Sequence, residues 1–222
     1  MQLHTRPTHR TGRFATIGDA ATARVCWFVL HGYGQLIERV LRRFEGVVPP
    51  DTYLVAPEGL SRFYTQMPRP DGSHLDLVGA TWMTRASRDD DIADALRWLE
   101  QIRQETTALL PAGIPVGVLA FSQGVAMATR WLAMETFTAS QFVAWAGRPA
   151  VDVDEAPLAR QLAVAQVTLV AGDADPFVSD TARDEVLAIL RRWQPAAQTM
   201  TFAGGHHLDP ATLGILLALS AR

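Results

Sequence analysis

The 222-residue chain contains no lysine and no asparagine, and all 20 of its basic side chains are arginine. Genome composition accounts for that bias, yet the absence removes chemistry. There is no Schiff-base lysine, no phosphate-loop lysine and no N-glycosylation acceptor. Cysteine is nearly missing too. Cys26 is alone, which excludes an internal disulfide and fits a cytoplasmic protein. It sits in the apolar run VCWFVL, the setting of a buried, inert thiol. Long hydrophobic runs are also lacking. The most apolar late segment, LGILLALSA from Leu213, is about half the length a bilayer demands, so no membrane span is expected. The N-terminal MQLHTRPTHRTGR is basic but has no apolar core and is not read as a secretory signal. A formal charge of −3 gives no electrostatic footprint for nucleic acid or an anionic membrane. With 48% hydrophobic and 19% charged residues the chain is globular, and its length suits one domain over residues 1–222.

What is present alternates between strand and helix patterns. Apolar or β-branched runs at Val25–Leu30, Thr52–Pro57, Ile114–Phe121, Gln141–Gly147, Val167–Asp173 and Gln198–Gly205 read as strands. Helical spacing marks Leu36–Phe44, the segment from Ser87, Gln123–Met134, Ser179–Trp193 and Pro210–Ala221, with at most a short helix at APLARQL. In the segment from Ser87, residues Ile92, Leu96, Leu99 and Ile102 share a face and Ser87 can cap. Asp89, Asp90 and Asp91 suit the positive end of that helix, so no metal is inferred from them. RTGRFATIG can add an antiparallel edge strand. Near-continuous apolar strands separated by helices indicate a mostly parallel central sheet with helices on both faces. Glu58–Ala86 is too long and too rich in proline and glycine for an ordinary connector. It is read as a functional or disordered loop, with Phe63, Tyr64 and Trp82 as lid-like aromatics.

The string VGVLAFSQGVAMATRW, Val116–Trp131, carries the strongest chemical signal. An apolar strand ends on Ser122 and a helix begins almost at once, which exposes one hydroxyl at a sharp turn beside helix N–H groups. Such a turn needs small residues two before and two after the serine. They are Ala120 and Gly124, so the usual G-x-S-x-G pattern is altered by one methyl group. In open α/β sheets the chemistry lies beyond the carboxyl ends of the strands. At those ends stand His31-Gly32-Tyr33-Gly34-Gln35, then Ser122-Gln123, then Gly172-Asp173-Ala174-Asp175, then Gly204-Gly205-His206-His207. A serine, an acid and a histidine follow one another in that order. Asp173 competes with Asp175, and His207 with His206. Adjacent histidines seldom point the same way, so His206, His207 and Asp209 are not read as metal ligands. Asp209 instead suits the cap of the closing helix.

HGYG (31–34), APEGLSRFY (56–64), ATWMTR (80–85), FSQG (121–124), AGDADPFV (171–178) and FAGGHH (202–207) together span most of the chain. In these segments it resembles the α/β-hydrolase superfamily, most closely the phospholipase/carboxylesterase group of serine esterases. The resemblance implies a single-domain α/β-hydrolase fold. It also implies Ser122 as nucleophile, Asp175 as the acid three residues after the strand-ending glycine, and His206 as the base directly after a glycine. The oxyanion hole would be the backbone N–H groups of Tyr33 and Gln123. Gly32 and Gly34 would fold the first loop toward the serine, and Gly205 would deliver His206. Gln35 departs from the aspartate that many members carry. In this group the residue corresponding to Trp82 lies near the nucleophile, which makes it a wall of the substrate pocket, whereas His31 is read as structural.

The activity implied is hydrolysis of small-molecule carboxylic esters or thioesters of small acyl groups through an acyl-enzyme, without cofactor or metal. A non-catalytic protein of the same fold that binds a small molecule or a partner is the alternative. Retention of Ser122, Asp175 and His206 at their strand ends favours the enzyme. Nothing in the sequence fixes an oligomeric state or a protein partner.

Overall fold

A computed structural model describes residues 1–68 and 74–219. Among these residues nine strands form: β1 Phe14–Ile17, β2 Val25–Leu30, β3 Thr52–Pro57, β4 Ser61–Pro68, β5 His74–Thr81, β6 Val116–Phe121, β7 Gln141–Trp145, β8 Gln166–Gly172 and β9 Gln198–Phe202. Six α-helices accompany them, five between strands and the last after β9: α1 Ile37–Leu41, α2 Arg88–Thr107, α3 Gln123–Leu132, α4 Glu155–Ala163, α5 Asp180–Trp193 and α6 Pro210–Leu219. Short 3-10 turns occupy Ala20–Thr22 and Arg42–Phe44. The last residues expected in the closing helix lie outside the described residues.

Seven strands make the main sheet in the order β1-β3-β2-β6-β7-β8-β9. All neighbours are parallel except β1, which pairs antiparallel with β3, Phe14 opposite Pro57. The expected edge strand is therefore present. The apolar strands need cover on both faces, and their alternation divides the core in two. Cys26, Phe28 and Leu30 of β2 face a layer with Leu99 and Ile102 of α2, Trp131 of α3, Leu158 of α4 and Leu190 of α5. Val25, Trp27 and Val29 face the other layer, with Val40 of α1 and Leu213 and Leu217 of α6. Burial pushes the Cys26 thiol up to about 12, so it stays protonated.

Two expectations change. Glu58–Ala86 is not a loop: β4 and β5 pair antiparallel from Ser61 opposite Thr81 to Pro68 opposite His74. The sequence hid this hairpin because β4 alternates between exposed and half-buried residues, so neither face carries a buried apolar stripe. Residues 69–73, part of that segment, lie outside the described residues. The base of the hairpin is tied to the loop after β2, where Gly34 N–H donates to Ala80 O (2.8 Å) and Ala80 N–H to Gln35 O (3.2 Å). That approach requires Gly79, whose absent Cβ would fall 2.5 Å from Gly34 O. In α2 the buried stripe is Ala95, Leu99, Ile102 and Thr106, and Ser87 makes no side-chain cap. Asp91 instead accepts from the N–H and hydroxyl of Thr84 in the incoming turn (2.8 and 2.9 Å).

Candidate active site

Ser122 joins β6 to α3 with φ 52° and ψ −117°, a strained backbone for a residue with a side chain. The turn is held by the β6–β7 pairing carried one step further, Ser122 N–H donating to Trp145 O (2.8 Å). It closes because position 124 is glycine. A Cβ there would lie 2.6 Å from Leu30 O and 2.8 Å from His31 O. Ala120 is buried within the sheet core, which accommodates its methyl group.

Three loop residues meet at the carboxyl edge of the sheet. His206 Nε2 is 3.0 Å from Ser122 Oγ, and His206 Nδ1 is 2.7 Å from Asp175 Oδ2. An ionised carboxylate can only accept, so Nδ1 carries the proton and Nε2 accepts from the serine hydroxyl. The Asp175 side chain is fully buried and its other oxygen accepts Phe177 N–H (2.8 Å). The imidazole is flanked by the rings of Phe121 (4.8 Å) and Phe177 (5.0 Å), which fix its plane. Such a chain lets an imidazole take a hydroxyl proton while the carboxylate holds its tautomer and steadies the resulting cation.

The competing residues do other things. Asp173 Oδ1 accepts Gly204 N–H (2.9 Å), fastening the β9–α6 loop to the β8–α5 loop. His207 turns its ring against Phe202 and its carbonyl accepts from Trp145 Nε1 (3.0 Å). Asp209 caps α6, accepting from Thr212 N–H (2.8 Å). Gly205 is not the position that demands glycine, since a Cβ there makes only ordinary contact with Ala174 O at 3.7 Å. The crowding is at Gly172, whose Cβ would lie 2.2 Å from Gly204 O.

Tyr33, Gln123, Ser122 and His206 line a cavity of about 620 Å³. Among the described residues neither Tyr33 N–H nor Gln123 N–H has a protein acceptor, so both remain free to donate. The loop bearing Tyr33 approaches the serine closely: a Cβ on Gly32 would lie 3.1 Å from Ser122 Cβ, and Gly34 adopts φ +73°.

Trp82 does not line this cavity, contrary to expectation. It is buried under the β2 loop, stacked on His31 (4.7 Å, 26°), with its indole N–H donating to His31 O (2.8 Å). Its aromatic bulk supports the loop from behind. His31 Nδ1–H donates to Gly32 O (2.7 Å) and Nε2 accepts Gly59 N–H (2.9 Å), so both partners dictate the neutral tautomer. Burial lowers its pKa to about 4, against smaller opposing effects of the Gly32 carbonyl and of Glu58.

Two supports escaped the sequence reading. The side chain of Gln123 clamps the end of β5 and the two residues after it, its Oε1 accepting from Thr81 Oγ (3.0 Å) and Trp82 N–H (3.1 Å) and its Nε2 donating to Met83 O (3.0 Å). Glu58 is buried beneath the same loop, bonded to Arg13 (2.7 and 3.0 Å), Arg62 (3.2 Å) and Ile37 N–H (3.4 Å). Burial raises its carboxyl, but Arg13 and the Ile37 N–H outweigh that and hold it below the usual range. The signal was a charged residue directly after an apolar strand, which spacing alone does not assign. Among the described residues no group of three His, Cys, Asp or Glu side chains could hold a metal ion, and no helix is long and apolar enough to cross a membrane.

No family model and no curated protein sequence matches the chain. Solved structures do. Acyl-protein thioesterase 2 of Zea mays is similar over 96% of this chain and 100% of its own, with 16% identity and a TM-score of 0.68. The carboxylesterase of Mesorhizobium loti covers 97% of each chain at 19% identity and TM-score 0.66. The carboxylesterase of Bacillus cereus covers 95% of each at 15% identity and TM-score 0.66. Strand order, parallel pairing and near-complete mutual coverage at this level of identity establish one thing: the chain has the α/β-hydrolase fold.

Proposed function

We propose that the protein is a serine hydrolase that cleaves carboxylic esters or thioesters of modest acyl size through an acyl-enzyme. The observation that carries this reading is the unbroken chain Ser122 Oγ–His206–Asp175 (3.0 and 2.7 Å) on a strained turn that opens into an apolar-walled cavity. Ser122 Oγ attacks the carbonyl carbon while His206 Nε2 takes its proton. The carbonyl oxygen becomes an oxyanion that accepts from Tyr33 N–H and Gln123 N–H, donors with no competing protein acceptor among the described residues. Collapse breaks the bond to the alcohol or thiol, which leaves with the proton held on His206. Water then attacks the acyl-serine by the same route in reverse, His206 acting as base and Ser122 as leaving group. No cofactor is needed for this cycle. The esterases and the thioesterase that share the fold support the reaction class.

Treatment with a fluorophosphonate probe tests the reading. Labelling of the wild type, with loss of both labelling and nitrophenyl-ester turnover in a folded Ser122→Ala variant, is the expected result. Equal turnover in that variant refutes the nucleophile. Persistent absence of labelling in the wild type turns the reading toward a binding protein of the same fold.

A further inference from the structure

The cavity beside Ser122 is mostly apolar, with Leu169, Phe177, Val178 and Val186 in its wall, yet two arginines, Arg148 and Arg183, also line it. Among the described residues no Asp or Glu lines the cavity with them. Arg183 is out of place by its own helix. Val186, Leu190 and Trp193 are the buried stripe of α5, and Arg183 stands where that stripe continues by one more step toward the site. An apolar residue would complete the pattern. Instead a cation is held with its side chain only 22% exposed, while its partner Asp180 is 83% exposed and touches a single nitrogen (3.0 Å). Arg148, from the turn after β7, is likewise engaged through one nitrogen, by the exposed Glu185 (3.0 Å). Exposed pairs of this kind contribute little and exchange readily for a better acceptor. The remaining donors of both forks have no protein acceptor among the described residues, although a guanidinium offers five and favours a planar anion.

We propose that the substrate is anionic: an ester or thioester bearing a carboxylate or similar planar anion, set off from the reacting carbonyl by a short apolar stretch and received by Arg183 with Arg148. This rests on the hydrolase reading above and names the substrate class for that site. The apolar wall takes the intervening carbons, and the two cations select the charged end.

Paired substrates test it. Mono(4-nitrophenyl) succinate is compared with its neutral methyl ester, which places the anion on the acyl side. 4-Carboxyphenyl acetate is compared with 4-(methoxycarbonyl)phenyl acetate, which places it on the alcohol side. In wild type the ratio of kcat/KM, anionic to neutral, should exceed one in at least one pair and fall as salt rises. Arg183→Gln should lower that ratio roughly tenfold or more, as expected for loss of a charged hydrogen bond, and Arg148→Gln/Arg183→Gln should lower it further. Arg192→Gln removes a cation from the same helix that pairs with Glu155 away from the cavity, and it should leave the ratio at the wild-type value. Calorimetric binding of monomethyl glutarate to Ser122→Ala, lost on adding Arg183→Gln, gives a readout independent of turnover. Neutral esters preferred in both pairs, or ratios unmoved by the arginine variants, overturn the proposal while the hydrolase reading stands. Absence of turnover and of probe labelling, with glutarate binding intact, would instead overturn the hydrolase reading alone.

Discussion

Acidification should unfold this protein partly through one buried imidazole. His31 is held as the neutral tautomer by two fixed partners, Gly32 O at Nδ1 and Gly59 N–H at Nε2. A proton added at Nε2 would set two donors against each other at 2.9 Å, in a site closed off by Trp82. The folded-state pKa is about 4, against about 6.5 for a free histidine. The unfolded chain therefore binds more protons between those values, so stability is full above the free pKa and declines as pH falls toward the folded one. The gap corresponds to about 3 kcal/mol, a large share of a typical domain's stability. His31→Gln is the reference protein, because an amide supplies a donor and an acceptor and does not titrate. Urea unfolding of both proteins at half-unit steps from pH 7 to pH 4, at constant ionic strength, gives the difference in stability. Glu100, held at about 2 chiefly by its hydrogen bond to Arg103, contributes equally to both and drops out of the difference. The wild-type curve should fall more steeply with acid, by about 3 kcal/mol across the window. Parallel curves, or a folded-state His31 resonance titrating near 6.5, would refute the reasoning.

Two further outcomes follow from the site. Asp175→Asn should lose far more kcat than Asp173→Asn, on the order of 10⁴-fold by analogy with a serine-protease triad, because of the two only Asp175 touches His206, whereas an amide at 173 still accepts Gly204 N–H; steady-state kinetics in the reverse order would refute the proposed acid. Gln123→Leu should lower stability by about 1–3 kcal/mol, since it strands the Trp82 backbone N–H, while the Met83 carbonyl keeps the Thr81 hydroxyl as donor. It should lower kcat as well, by loosening the residue whose N–H is proposed to receive the oxyanion, and a urea midpoint and kcat both unchanged would show the clamp to be idle.

Local chemistry was enough to read much of this protein from its sequence. Strands buried on both faces have to be apolar throughout, so β2, β3, β6, β7 and β8 stood out, and the turn at Ser122 advertised itself by a strand run colliding with Gly124. The order of Ser122, Asp175 and His206 at strand ends was legible for the same reason. The tertiary structure decided what periodicity does not encode. In the β4–β5 hairpin β4 has no buried face to betray it and β5 is buried only at its end, where its partner is a glycine loop remote in sequence. Trp82 is as apolar as any pocket wall, and only the path of the hairpin turns it inward onto His31. The choice between Asp173 and Asp175 depends on which carboxylate reaches an imidazole 31 residues away, a distance set by the spacing of adjacent strands. Helical spacing over Ser179–Trp193 does not single out Arg183. Only the packing of α5 against the sheet puts Arg183 in the wall of the cavity beside Ser122.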